Sequence, residues 1–415
     1  MRVINYVAGF LAMMSVAACN SSADQTLKAG NWRATLLRDG QELPILLEVS
    51  QNPDNKTYSV VSVNGEERLQ LDSAYFENDS LHIPMELFDS EIVAAVHGDK
   101  LSGTYSRLKE GVVVGSLPFK AVYGENHRFF KEGVAKSEKN VAGKWSTTFL
   151  NPATGDSTLA VGNFIQNGSA VQGSFLTPTG DYRFLNGSIN GDSLYLSTFD
   201  GSNAMLFKAA LQTDGTLKGE LWSGLKGYKT WTAKLNPEAK LPDATKLTFL
   251  KPGFDKVDFT FPDSDGKTVS LSDPQYKDKV VIIQILGSWC PNCMDETNFL
   301  APWYKKNKDR GVEIIGLAFE HSDKPEVSNP KLKRMINRFG MTYPVLLAGT
   351  NSDEATGKAL PMLNKVMSYP TTIFIDKKGK VREIHTGFSG PGTGKYYDQF
   401  VEDFNGLMDK IIAEK

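Results

Sequence analysis

The feature that most constrains the fold is an apolar run followed at once by two cysteines. Residues 280–286 are apolar except for Gln284, and such a run is typical of a central strand that is covered on both faces. The sequence Gly-Ser-Trp-Cys-Pro-Asn-Cys follows at residues 287–293, and residues 293–308 have the pattern of a helix. The chain therefore predicts a dithiol, Cys290 and Cys293, at a strand-to-helix turn.

The position of Pro291 predicts which cysteine reacts first. Proline suits the first turn of a helix, where its missing N–H is not needed, so Cys290 is the expected N-cap. At that place the free N–H groups and the positive end of the helix dipole stabilise a thiolate. We expect a lowered pKa at Cys290, which makes it the attacking nucleophile. Cys293 lies one turn further in and is expected to resolve the mixed disulfide.

A C-x-x-C motif has two other uses, as half of a metal site or as an inert disulfide. The chain has only three cysteines, Cys19, Cys290 and Cys293, whereas a structural zinc site takes four ligands. His321 and His385 do not complete a familiar zinc pattern, so we expect no metal and no other cofactor. An inert bridge would stabilise little, because the loop that it closes is small. A redox-active dithiol is therefore the preferred interpretation.

Composition narrows the class of protein. A length of 415 residues suggests several domains, and 40% apolar with 23% charged residues is typical of a folded, soluble chain. The net charge of -2 argues against nucleic-acid binding, which needs clustered Lys and Arg to contact phosphates. We therefore expect no nucleic-acid partner.

The first residues resemble a signal for secretion. Arg2 precedes an apolar run over residues 3–18, which is about the length of a signal peptide and short for a membrane span. Val-Ala-Ala-Cys at residues 16–19 resembles the lipobox of bacterial lipoproteins, which implies a signal peptide over residues 1–18 and diacylation of Cys19. Lipid chains of this kind hold a protein on a membrane surface without spanning the membrane. An ordinary secretory signal with an incidental cysteine is the alternative.

Asn20 bears on which membrane carries the protein. Many Gram-negative lipoproteins are retained at the inner membrane by an Asp after the lipidated cysteine, so Asn20 favours the outer membrane. Residues 19–28 are expected to form a short tether. The sequence thus predicts an extracytoplasmic, lipid-anchored protein on the periplasmic side, where dithiols are prone to oxidation.

Two β-rich repeats are predicted, over residues 29–135 and 141–235. Short alternating stretches are separated by turn pairs such as Asn64–Gly65, and no convincing helix is present. Ala-Gly-Asn-Trp at residues 29–32 returns as Ala-Gly-Lys-Trp at residues 142–145, and further pairs keep their order and spacing. We infer two copies of one antiparallel unit, a barrel or a sandwich, that docks a partner or acts as a spacer. Chance reuse of β-rich fragments is the alternative.

Residues 236–246 contain two prolines and are predicted to link the repeats to an α/β domain over residues 247–415. The periodicity predicts strands at residues 312–318, 371–375 and 381–385, and helices at residues 331–339, 359–366 and 395–413. The expected architecture is multidomain, with two N-terminal antiparallel all-β repeats followed by an α/β domain.

Two motifs in this domain resemble thioredoxin-like proteins of the TlpA/ResA type. One is the apolar run with Trp-Cys-Pro-Asn-Cys at residues 280–293, and the other is Tyr-Pro-Thr-Thr-Ile-Phe-Ile-Asp at residues 369–376. The resemblance covers residues 247–415 and does not extend to the β repeats. It implies a thioredoxin-like fold and disulfide exchange with protein thiols and disulfides.

The resemblance also assigns site residues. Pro370 matches the family's cis-proline, which faces the dithiol. The backbone at Tyr369, with the adjoining Thr371, is expected to contact an incoming peptide. Glu296 matches a glutamate three residues after the second cysteine, and from the same helix face it would take the proton of Cys293.

Gln284 departs from the thioredoxin pattern. It stands where thioredoxins carry a buried Asp, six residues before the first cysteine, so proton transfer must use Glu296 or water. Trp289 is expected to shield the reactive sulfur. Residues 352–363 resemble an insertion that shapes a substrate groove.

The predicted function is that of an enzyme, a thiol-disulfide oxidoreductase that works with a membrane redox partner. The direction of electron flow stays open. A thiol peroxidase is one alternative, although peroxiredoxins place a Thr where this chain has Gly287. A lipid-anchored binding module that acts through the β repeats is the other.

Overall fold

The computed structural model describes residues 26–54, 56–131 and 136–414. Cys19 and the predicted signal peptide lie outside these residues, so lipidation stays a prediction. Within the described ranges, none of the helices has the length and apolar character needed to cross a bilayer. Three bodies follow one another along the chain, namely two large antiparallel sheets and an α/β domain.

The first sheet has nine antiparallel strands, namely β1 (Gly30–Arg38), β2 (Gln41–Gln51), β3 (Tyr58–Asn64), β4 (Glu67–Gln70), β5 (Tyr75–Glu77), β6 (Ser80–Met85), β7 (Ser90–His97), β8 (Lys100–Lys109) and β9 (Val112–Tyr123). They lie in the order β4-β3-β2-β1-β9-β8-β7-β6-β5. Because β4 and β5 end the sheet without closing it, it forms a half-barrel. Leu27, predicted to be in the tether, is buried and donates its N–H to the Tyr58 hydroxyl over 3.1 Å.

The second sheet closes into a barrel. Its strands are β10 (Gly143–Leu150), β11 (Ser157–Asn167), β12 (Ala170–Thr177), β13 (Gly180–Asp181), β14 (Leu185–Asn190), β15 (Ser193–Phe199), β16 (Ala204–Leu211), β17 (Thr216–Ser223) and β18 (Gly227–Leu235). Pairing of β11 with both β10 and β12 closes eight strands, and the short β13 pairs with β12. Buried aromatic residues fill the interior: Trp145, Phe149, Phe164, Phe175, Phe207 and Trp231.

The two sheets repeat one another strand by strand, with β1 to β9 corresponding in order to β10 to β18. Trp32 in β1 and Trp145 in β10 are both buried, and each indole N–H donates to the carbonyl oxygen four residues earlier over 2.9 Å. This shared contact supports the interpretation as two copies of one unit. The prediction left a barrel and a sandwich open. The second sheet is a barrel and the first sheet is an open half-barrel, so neither forms a sandwich.

The α/β domain is built on β21 (Val280–Leu286), in which every residue is buried. The other elements of this domain are β19 (Thr260–Pro262), β20 (Thr268–Ser270), β22 (Val312–Glu320), β23 (Val345–Thr350), β24 (Thr371–Ile375), β25 (Val381–Thr386), α1 (Pro291–Asn307), α2 (Pro325–Phe339), α3 (Asp353–Ala359) and α4 (Lys395–Ala413). The five-stranded sheet has the order β23-β22-β21-β24-β25, with β22 parallel and β24 antiparallel to β21. The predicted central strand, terminal hairpin and C-terminal helix are confirmed.

The helix predicted over residues 359–366 is wrong, because α3 ends where that helix should begin. The hydroxyl of Ser352 accepts the N–H of Ala355 and thereby starts α3 earlier. Pro361 disfavours helical backbone at the residue before it, and Leu360 has φ −129° and ψ 65°.

The first sheet contacts both the α/β domain and the second sheet. Lys331 of α2 pairs with Asp89 of the first sheet over 2.5 Å. Between the sheets, the buried Arg128 guanidinium donates to the Ser197 hydroxyl over 2.8 Å and to the Pro44 carbonyl over 3.3 Å. Burial lowers the pKa of Arg128 to about 10. Lys331 thus joins the α/β domain to the first sheet, and Arg128 joins the first sheet to the barrel.

Candidate active site

The dithiol lies where β21 ends and α1 begins. Cys290 and Cys293 form a disulfide with their Cα atoms 5.2 Å apart. Pro291 is the first residue of α1 and Cys290 is its N-cap, as the sequence predicts. The backbone N–H of Cys293 donates to the Cys290 sulfur over 3.1 Å. After reduction the same N–H would stabilise a thiolate at Cys290.

The two sulfurs differ in access. Cys290 is 5% exposed and Cys293 is 0% exposed, so an incoming group reaches Cys290 first. This difference agrees with the predicted order, in which Cys290 attacks and Cys293 resolves.

The peptide bond between Tyr369 and Pro370 is cis and lies beside the dithiol. The carbonyl oxygen of Tyr369 is 3.4 Å from the Cys290 sulfur. No proton joins these atoms in the disulfide, whereas a reduced Cys290 thiol could donate one. Thr371 is fully buried and its hydroxyl donates to the Ser368 carbonyl over 2.7 Å. This hydrogen bond fixes the backbone on the two sides of Pro370 to each other.

Trp289 is held in an aromatic group beside the cis-proline loop. Its indole N–H donates to the Phe319 carbonyl over 3.0 Å. The ring meets Tyr369 edge to face with centroids 5.4 Å apart and stacks on His321 with centroids 4.9 Å apart. These contacts fix the position of the Trp289 ring. Its role as a shield of the Cys290 sulfur stays a prediction.

Glu296 is buried one helical turn after Cys293. Its exposed fraction is 1%, and one carboxylate oxygen accepts from the Thr372 hydroxyl over 2.5 Å. The other oxygen accepts from the Gln284 amide over 2.8 Å. Burial raises the pKa of Glu296 to about 7, and the two hydrogen bonds oppose that rise only in part. A carboxyl with this pKa can exchange a proton near neutral pH.

Gln284 has a role that sequence reasoning missed. Its side chain is fully buried and contacts three polar groups, namely the Glu296 carboxylate, the Thr297 hydroxyl over 3.1 Å and the Tyr343 hydroxyl over 3.4 Å. β21 has Gln284 where thioredoxins carry a buried Asp, and the buried acid of this site is Glu296 on α1. A polar amide in a buried apolar strand needs a hydrogen-bond partner. This requirement was the sequence signal from which a contact of Gln284 could have been predicted.

Arg183 and Asp181 of the barrel contact the helix that carries the dithiol, and sequence reasoning missed both residues. Arg183 is buried and makes a two-pronged ion pair with Asp295 of α1, with both N···O distances 2.8 Å. The Asp181 carbonyl accepts the side-chain N–H of Asn292, between the two cysteines, over 3.2 Å. Burial raises the pKa of Asp181 to about 7. No local pattern links residues more than one hundred positions apart.

Across residues 26–54, 56–131 and 136–414, no group of three or more His, Cys, Asp or Glu side chains could hold a metal ion.

Known proteins resemble the α/β part of the chain. The Redoxin family matches residues 238–399. Thiol-disulfide oxidoreductase ResA of Halalkalibacterium halodurans is 28% identical over 162 residues, which is 39% of this chain and 79% of that protein. ResA of Geobacillus kaustophilus is 32% identical over 145 residues, 34% of this chain and 74% of that protein. ResA of Bacillus subtilis is 32% identical over 138 residues, 33% of this chain and 69% of that protein.

The identity, the coverage of these relatives and the disulfide at the start of α1 agree with one another. They confirm the resemblance predicted from the two motifs. The chain belongs to the ResA family of thiol-disulfide oxidoreductases.

Proposed function

We propose that this protein is an extracytoplasmic, lipid-anchored oxidoreductase that exchanges disulfides with protein substrates through Cys290. The observation that carries the proposal is the Cys290–Cys293 disulfide at the N-terminus of α1, facing the Tyr369–Pro370 loop. Here the more exposed sulfur accepts an N–H and lies beside a backbone carbonyl. A substrate chain that lies along this loop would bring its own disulfide to Cys290.

The reaction that reduces a substrate has two exchange steps. The Cys290 thiolate attacks one substrate sulfur, so that the substrate S–S bond breaks and a mixed disulfide forms with one substrate thiolate leaving. Glu296 then accepts the proton of Cys293, and the Cys293 thiolate attacks the Cys290 sulfur. The second substrate thiolate leaves and Cys290–Cys293 is oxidised. Both steps run backwards when the protein oxidises a dithiol.

The proposed location comes from the first residues. The apolar run over residues 3–18 before Cys19 supports export and lipidation, and Asn20 supports sorting to the outer membrane. A membrane redox partner would return the dithiol to its working state. Replacing Cys19 with Ala should move the protein from the membrane fraction to the soluble periplasmic fraction. Unchanged fractionation would contradict the anchor without affecting the proposed chemistry.

Trapping tests the proposed chemistry. In cells, Cys293→Ser should accumulate mixed disulfides with proteins on Cys290, and a reductant should release them. The matched Cys290→Ser variant should form none, because the nucleophile is missing. If Cys293→Ser forms no adduct, protein disulfides are not the substrates. The reduction potential gives the direction, since about −270 mV is typical of a reductant and about −120 mV of an oxidant.

A further inference from the structure

A hairpin turn of the barrel contacts the start of α1 and two loops of the α/β domain. This segment, residues 177–183, is called the barrel turn. The hydroxyl of Ser368, two residues before Pro370, donates to the Thr179 carbonyl. Asn292, between the two cysteines, donates its side-chain N–H to the Asp181 carbonyl over 3.2 Å. The N–H of Gly390, in the loop after β25, donates to the Asp181 carboxylate over 2.7 Å.

At Gly387 the backbone of the α/β domain approaches the backbone of the barrel turn directly, and at Gly180 the barrel turn lies against the Asn292 side chain. A Cβ atom on Gly180 would lie 2.5 Å from the Asn292 side-chain nitrogen. A Cβ atom on Gly387 would lie 3.0 Å from the Gly180 nitrogen. Both glycines also have positive φ, +136° and +77°, which larger residues rarely adopt. The fit therefore depends on glycine on each side of the contact.

Buried charges hold the barrel turn in this place. The guanidinium of Arg183 pairs with Asp295 of α1 over 2.8 Å, with Glu67 of the first sheet over 2.6 Å and with Asp200 of the barrel over 3.4 Å. All four side chains are at most 9% exposed. One cation thus joins all three bodies of the chain, and its partner on α1 lies two residues after Cys293, which argues for a fixed position.

We propose that the barrel turn is a specificity element that walls one side of the approach to Cys290. The dithiol then accepts disulfides in flexible, extended segments and rejects disulfides set in a folded surface. This inference rests on the proposed function, because it concerns which protein disulfides reach Cys290.

The physical reason is steric. Cys290 is only 5% exposed, and the barrel turn lies against Asn292 of α1 and against the loop that carries Ser368. A folded protein brings a broad surface with its disulfide, and this surface would strike the barrel turn before the sulfurs meet. A flexible segment can enter beside the wall. Specificity here comes from excluding the wrong shape, a recognised way to separate substrates with the same reacting group.

The test presents one disulfide in two shapes to the full-length, reduced protein. One substrate is a small folded protein with a solvent-exposed disulfide, and the other is the flexible peptide that carries the same disulfide. A small disulfide, oxidised 2-mercaptoethanol, measures the basal reactivity of Cys290. The wild type should react about 100-fold faster with the peptide than with the folded protein. Equal rate constants would overturn the proposal.

A substitution that raises the wall gives a second test. Thr179 is exposed at the tip of the barrel turn, so Thr179→Trp should fold normally. Its rate constant with the peptide, divided by that with the small disulfide, should fall about tenfold because the added ring narrows the approach. The control is Thr213→Trp, on an exposed turn at the other end of the barrel, which should leave this ratio unchanged.

The outcomes separate this inference from the proposed function. An unchanged ratio in Thr179→Trp would show that the barrel turn does not border the substrate path, and it would overturn the inference alone. If the wild type reacts with the small disulfide but with neither the peptide nor the folded protein, the proposed action on protein disulfides fails as well.

Discussion

Gln284 donates a hydrogen bond from its side-chain amide to the Glu296 carboxylate over 2.8 Å, joining the central strand to the helix that carries the dithiol. The bond holds a buried carboxyl one helical turn from Cys293. The acid of the site therefore lies on α1, and the strand contributes the group that orients it. This relationship makes the second step of the proposed exchange open to direct measurement.

The first prediction concerns the rate at which Cys293 resolves a mixed disulfide on Cys290. In the wild type this rate should rise with pH and level off near pH 7, because burial raises the pKa of Glu296 to about 7 and only its ionised form accepts a proton. In Glu296→Gln the rate at pH 7 should fall about 100-fold and keep rising toward about pH 8.5, the ordinary pKa of a thiol. The rate of this resolving step is measured by stopped flow, from the release of a labelled thiol that was bound to Cys290.

The control for that prediction is Glu402→Gln, which changes an exposed glutamate on α4. It should reproduce the wild-type pH profile. If Glu296→Gln also does so, water rather than Glu296 takes the proton of Cys293.

The second prediction concerns stability and pH. Between pH 4.5 and about 7 the unfolded chain has lost the Glu296 proton while the folded chain keeps it. The free energy of unfolding therefore falls as pH rises through this window, by about 3 kcal/mol from Glu296. Glu296→Gln lacks this contribution, so its stability relative to the wild type should increase by a similar amount from pH 4.5 to pH 8.

Urea unfolding of both oxidised proteins at a series of pH values measures this difference. Asp181 also has a raised pKa, but it is present in both proteins and cancels in the comparison. Parallel pH profiles would mean that Glu296 ionises as easily in the folded chain as in the unfolded one.

The third prediction concerns Arg183. Arg183→Met removes the cation shared by Glu67, Asp200 and Asp295 and leaves three buried carboxylates without its charge. The expected loss of stability is about 3–5 kcal/mol, as for other broken buried ion pairs. Arg68→Met breaks the exposed pair with Glu48 and should cost less than about 1 kcal/mol. Chemical unfolding compares the two, and equal losses would refute the structural role of Arg183.

The fourth prediction uses the repeated tryptophans. Trp32→Ala and Trp145→Ala each remove a buried indole and its hydrogen bond, so each should cost about 3–5 kcal/mol of unfolding free energy. Leu159→Ala is the control, because Leu159 on the barrel is 60% exposed and should change stability by less than about 0.5 kcal/mol. A small effect at only one tryptophan would show that the two sheets do not depend on the same anchor.

Local patterns were enough to predict much of the α/β domain. The apolar run at β21, Pro291 at the start of α1 and the spacing of apolar residues in α4 each describe neighbours within a few turns. The same kind of evidence failed at residues 359–366, where apolar spacing suggested a helix and Pro361 prevented it. The repeated Trp motif was readable because both copies keep the same local contact.

The sequence by itself determined the dithiol at a strand-to-helix turn and the β-rich first half, because each depends on short-range spacing and burial. Its resemblance to the TlpA/ResA type implied the cis-proline at Pro370. Only the tertiary structure decided that β11 pairs with β12 to close the second sheet, that Gln284 holds Glu296 and that Arg183 reaches Asp295. These contacts join residues far apart in the chain or on different elements. Their partners are chosen by the packing of whole bodies against one another, which spacing along the sequence does not describe.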